Sequence, residues 1–177
     1  FNSLQIDGLY KKINLYERDT KISWRQGEDL EEILQRTGII RKLPIVSPGC
    51  HFVGGAKLTV LSPNVEILKE FADKDDEECA RTTHIAYCCD YEKSVTELHE
   101  KEFEGIVSLT NRSSIAFLFE FSGKKLLLLG DAEDNTIKNS LTKLGYSNEN
   151  KLKVDFCKIA HHASKHNTSN ELIQMLD

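Results

Sequence analysis

Three side chains carry the chemistry of this chain. Asp131 sits in Gly130-Asp131-Ala132, at the end of an apolar run, and His161-His162 follows a second apolar run about thirty residues later. A carboxylate and imidazoles brought together at strand ends are a donor set for a zinc-type ion, which binds both at about 2.0–2.2 Å. Adjacent residues of a strand point to opposite faces, so one histidine of the pair is expected on the ion. The other would stand behind it or meet substrate. Asp131 has a second reading, as the cap of a helix beginning near Ala132. Asp134 reads as a first-turn acid facing the helix dipole.

These residues need strands to aim them. Ser114–Phe121 is rich in β-formers, Ser122-Gly123 is a tight-turn signal, and Lys124–Leu129 returns as a second strand. The pattern predicts a helix over Ala132–Leu144 ended by Gly145, then a strand over Val154–Ala160. Thr168 and Glu171 form a T-x-x-E capping box for a last helix. Upstream, Asp29–Gln35 predicts a helix over about 28–37 stopped by Gly38. Leu43–Val46 reads as a strand or extended loop, ended by Ser47-Pro48-Gly49. Lys57–Leu61 predicts a strand, with Ser62 as N-cap and Pro63 as first residue of a helix whose apolar face is Val65, Leu68 and Phe71 or Ala72. The order β-β-α-β-α predicts an α/β layer.

The chain has 177 residues, 40% hydrophobic and 29% charged, which fits a single domain able to bury a core. It has no long apolar run of membrane-spanning length, and no charged-then-apolar segment opens this sequence. Its net charge of -5 argues against a nonspecific nucleic-acid surface, although Lys158 and Lys165 flank the histidines. The five cysteines are odd in number and lack a C-x-x-C, so a reducing, cytoplasmic setting is expected. Cys79, His84, Cys88 and Cys89 match no usual zinc-ligand spacing. Acids concentrate in 73–104, including Asp73–Glu78, and this stretch reads as a surface insertion, partly helical around Tyr91–Glu102. The chain opens on Phe1 and stops at Asp177, so a fragment, a processed product or an excised domain is expected.

The ordered set NRSSIAFLFE, KKLLLLGDAE, KIAHHAS and TSNEL, with LTVLSP before it, resembles the C-terminal half of a metallo-β-lactamase-fold hydrolase. The resemblance is strongest to the ComEC-like branch, named for a competence protein that handles incoming DNA. It covers about 57–63 and 111–177. The fold it implies is the C-terminal part of an αββα sandwich, in a single partial domain over 1–177 with the insertion at about 73–104. The activity it implies is hydrolysis of a phosphodiester or related ester by a metal-bound hydroxide, with nucleic acid among the substrates.

The same resemblance assigns roles. Asp131 would bridge two divalent ions, zinc or manganese, and His162 would bind one of them. His161 would meet substrate or support the site, Asn111 would line it, and Ser164 could donate to a phosphate. Three departures stand beside this. Ala163 replaces the family's glycine, which puts a positive φ there in doubt. The insertion separates Pro63 from Asn111. The family's first motif, H-x-H-x-D-H, is absent, and Thr83–Asp90 does not replace it. The missing N-terminal half, or a partner chain, would have to complete the fold and the metal site. The other reading is a non-catalytic binding or regulatory module that keeps the fold without a full metal site.

Overall fold

The computed structural model describes residues 33–38, 45–73, 94, 96–97, 103, 105 and 107–177. Its centre is one five-stranded sheet in the order β1 (Gly49–Val53), β2 (Ala56–Ser62), β3 (Ala116–Phe121), β4 (Lys124–Leu128) and β5 (Phe156–Lys158). The first three pairings are antiparallel, and β5 joins β4 in parallel. Antiparallel neighbours can be joined by two-residue turns, and Ser122-Gly123 makes the β3–β4 turn with φ of 47° and 77°. A parallel neighbour needs a crossover, and α3 (Asp134–Lys143) lies within it. The remaining helices are α1 (Val65–Asp73), α2 (Leu109–Arg112) and α4 (Asn170–Gln174). The chain is therefore α/β. No helix among the described residues is long and apolar enough to cross a membrane.

Alternation along the strands divides the sheet into two unlike faces. Leu118 and Leu127 are paired in register and buried at 3% and 0% exposure. They pack with Ile137 and Leu141 of α3, Leu172 of α4 and Met175 in the main core, with Cys157 of β5 against its side. Burial there raises the pKa of the Cys157 thiol. The opposite face carries the register row Leu58, Phe119, Leu126 and Phe156. The first three are half-buried and Phe156 is exposed. One face is thus a packed core and the other is an apolar layer only partly covered.

Several expected boundaries move, each for a local reason. β1 had no counterpart in the sequence reading, which ended an extended segment at Ser47-Pro48-Gly49. Ser62 is not a helix cap: it is the last residue of β2, paired with Ala116, and its hydroxyl donates to the Arg112 carbonyl at 3.4 Å. Asn64 caps α1 instead, its Oδ1 accepting from Ile67 N–H at 2.8 Å. Among the described side chains of α1, Ile67 and Leu68 are buried, while Val65 is 39% exposed. The strand expected over Val154–Ala160 shrinks to Phe156–Lys158. In front of it, the Asp155 carboxylate accepts from Lys124 Nζ at 2.6 Å and from Lys125 N–H at 2.9 Å. Those two bonds hold β5 on β4 and lower the Asp155 pKa below the usual carboxyl range.

Of the helix expected over 28–37, the described part is helical at 33–36, and Gly38 follows with φ of 75°. Most of 73–104 lies outside the described residues, as do Cys79, His84, Cys88 and Cys89. Within that stretch 96–97 is helical. There the Glu97 carboxylate accepts from Ser94 N–H at 2.7 Å, and Glu97 N–H donates back to the Ser94 hydroxyl at 3.3 Å.

Candidate functional site at the tips of two parallel strands

The register Leu126↔Phe156, Leu127↔Cys157, Leu128↔Lys158 makes β4 and β5 end side by side. In α/β sheets the carboxyl ends of parallel strands are where ligands are bound, because the chain leaves the sheet there in loops. The loop after β4 holds Asp131, and the loop after β5 holds both histidines. A direct bond joins them: His161 N–H donates to the Gly130 carbonyl at 2.9 Å.

Gly130 is required by two local facts. Its φ is 55°, and a Cβ would lie 2.9 Å from the Ile115 carbonyl oxygen. Ala132 N–H closes the turn on the Leu129 carbonyl at 3.1 Å and buries its methyl group completely, which leaves Asp131 half-buried at the apex. Asp131 is not the helix cap. Glu133 takes the N-cap position of α3 in extended conformation, two residues later than the cap reading required.

The histidines do not lie on a strand, so strand alternation does not sort them. His161, His162 and Ala163 form a left-handed turn with φ of 43°, 53° and 63°. Left-handed backbone costs a non-glycine residue about 1–2 kcal/mol, and three in succession persist only where surrounding bonds dictate them. His161 N–H is bonded to Gly130, and Ser164 N–H closes on the His161 carbonyl at 2.9 Å. Ala163 therefore does adopt the positive φ that its side chain had put in question. Ala163→Gly is expected to stabilise the protein by about 0.5–1 kcal/mol, the relief of left-handed strain less the added freedom of the unfolded chain. Urea denaturation would check this, and a destabilised variant would contradict the turn geometry.

His162 is exposed and His161 is half-buried, with ring centroids 6.3 Å apart. Asn111 reaches the His161 ring from α2, its amide Nδ2 3.4 Å from Nδ1. The Ser108 hydroxyl caps that short helix by accepting from Asn111 N–H at 3.2 Å. Ser164 braces the loop: its carbonyl accepts from Asn167 N–H at 3.0 Å and its hydroxyl from His166 N–H at 3.4 Å.

Two residues that the sequence reading did not place in the site hold it together. Asn167 is 1% exposed, and its Nδ2 donates to the carbonyls of Asp131 and Ala132 at 3.0 and 3.1 Å. Its Oδ1 lies 3.2 Å from His161 Nδ1. Asp134, read as a dipole-facing acid, is fully buried in the first turn of α3 and does more than that. It accepts from Ser169 N–H at 2.7 Å, from Ser169 Oγ at 3.0 Å and from Lys138 Nζ at 2.8 Å. Ser169, rather than Thr168, is the cap of α4, its hydroxyl accepting from Leu172 N–H at 3.1 Å. The Thr168 hydroxyl is buried with no hydrogen-bond partner among the described residues. Lys138 also binds Glu171 at 3.1 Å. Partial burial works against the Lys138 charge, but the bonds to Asp134 and Glu171 outweigh it and raise its pKa, while the Lys138 bond lowers that of Glu171.

Asp131 and His162 offer the oxygen and nitrogen that a zinc-type ion takes. Among the described residues no three His, Cys, Asp or Glu side chains are gathered as a metal site. The bond that the structure gives between the two loops at this point is the one from His161 N–H to the Gly130 carbonyl, not one between the Asp131 and His162 side chains. No protein-family model, no curated protein and no solved structure matches this chain.

Proposed function

We propose that this chain carries part of a metal-dependent hydrolase site of the metallo-β-lactamase type, in its ComEC-like branch, acting on a phosphodiester or related ester. The observation that carries the reading is the junction of the two loops: the Gly130–Asp131 turn bonded through Gly130 to a strained left-handed His161–Ala163 turn. Strain of this kind clusters at sites where geometry matters to function. The partly covered apolar face of the sheet agrees with a fold in which a second sheet lies against it, as in an αββα sandwich.

In this reading Asp131 and His162 hold divalent ions, zinc or manganese. When bound, such ions make water a nucleophile at neutral pH and stabilise the attacking and leaving oxygens. Asn111, His161 and Ser164 line the site and orient the ester. A non-catalytic binding module is the second reading, and the absence of a third donor among the described residues favours it.

Metal analysis of the full-length gene product separates the two. The hydrolase reading expects bound zinc or manganese, loss of that metal in Asp131→Ala and in His162→Ala, and cleavage of bis(p-nitrophenyl) phosphate by the wild type alone. Unchanged metal content in both variants would sink the ligand assignment. A folded wild type that takes up neither metal leaves the binding module. Any residues that precede Phe1 in the gene product can be read directly for an H-x-H-x-D-H string.

A further inference from the structure

The Asn167 amide touches both loops of the site, and its orientation is not free. Its Nδ2 has two carbonyl oxygens before it, those of Asp131 and Ala132 at 3.0 and 3.1 Å, and these can only accept. The opposite amide orientation would set an oxygen against both of them in a position that is 1% exposed, an expensive arrangement away from water. Oδ1 is therefore the atom that meets His161 Nδ1 at 3.2 Å. A carbonyl oxygen has no proton to give, so Nδ1 carries the hydrogen.

We infer that Asn167 is a positioning residue that fixes neutral His161 as its Nδ1–H tautomer, leaving the Nε2 lone pair for the site. Which imidazole nitrogen is bare follows from the bond the other one makes. The described hydrogen bonds to the His161 side chain both involve Nδ1. In the structure it is the Asn111 Nδ2 that lies 3.4 Å from Nδ1, so the Nδ1–H tautomer requires the Asn111 amide to rotate and present its oxygen, which its half-buried position allows where that of Asn167 does not. The meaning of this for catalysis rests on the hydrolase reading: His161 meets substrate or metal-site groups as an acceptor at Nε2. The tautomer itself does not rest on it.

Long-range ¹H–¹⁵N correlation of histidine-labelled full-length protein, without added metal and at about pH 8, above the ordinary imidazole pKa of about 6.5, reads both ring nitrogens. His161 is assigned by the loss of its peaks in His161→Gln. The expected result is a protonated Nδ1 and a bare Nε2. Asn167→Leu should remove the lock and move His161 towards a mixture of tautomers. Asn111→Leu should leave Nδ1–H unchanged. Nε2–H as the main form in the wild type overturns the inference whether or not any variant folds. So does an unchanged tautomer in a folded Asn167→Leu. Absence of metal uptake beside the expected tautomer would sink the hydrolase reading and leave the lock standing.

Discussion

Asp134→Ala lowers the stability of the fold by about 3 kcal/mol, read as a shifted midpoint in urea with an unchanged slope. The carboxylate is completely buried and accepts from Ser169 N–H, Ser169 Oγ and Lys138 Nζ. Removing it strands two donors of the α4 cap and takes away the closer partner of a lysine. Breaking a buried ion pair costs about 3–5 kcal/mol. The lower end applies because the Lys138 side chain keeps 22% exposure and can still reach Glu171 and water. The loss should exceed that of Ser169→Ala, which removes a cap worth about 1 kcal/mol and one bond to Asp134. A loss below about 1 kcal/mol in Asp134→Ala would mean that the two helix N-termini are not clasped in this way.

Gly130→Ala loses about 2–3 kcal/mol and displaces the apex of the Asp131 turn. Two terms add. An L-residue at φ of 55° pays the left-handed penalty of about 1–2 kcal/mol. A Cβ at 2.9 Å from the Ile115 carbonyl must push backbone aside, and forcing a close-packed region apart costs about 1–3 kcal/mol. The narrower unfolded ensemble returns about 0.4–1 kcal/mol. Gly123→Ala is the internal control. Its φ is 77° but no atom lies within 4 Å of the added carbon, so only the conformational term remains, about 1 kcal/mol. Equal losses in the two variants would remove the argument that Gly130 is set by the close approach of Ile115. Because Gly130 O holds His161 N–H, His161 amide exchange should also quicken in Gly130→Ala but not in Gly123→Ala.

The elements that position the site were legible wherever local chemistry decides. The β3–β4 hairpin was readable because Ser122-Gly123 separates two strongly β-forming runs and the turn needs positive φ. Helix α3 was readable from its Gly145 stop, which has φ of 90°. β1 was missed because its residues, Gly49–Val53, are half-buried or exposed and carry little periodic signal. Its order comes from pairing with β2. The cap residues were misread by one or two positions: Ser62 for Asn64, Thr168 for Ser169. Candidate caps stand in clusters along the chain, and burial chooses among them.

The same division runs through the site. Asp131 and the histidine pair stood out because charge and imidazole at the ends of apolar runs need a reason to be there. Nothing local distinguished Asp134 from any first-turn acid, or Asn167 from any polar loop residue. Each acquires its role from a partner 35 residues away, Ser169 for Asp134, and Ala132 for Asn167.

The sequence by itself therefore determined which side chains can do chemistry at the strand ends, since residue type and strand and turn propensity are local properties. Tertiary structure alone decided how they are held. The parallel docking of β5 on β4 sets the two loops side by side. Burial then turns Asp134 and Asn167 from polar residues into clasps, because a polar group removed from water must find its partners within the fold.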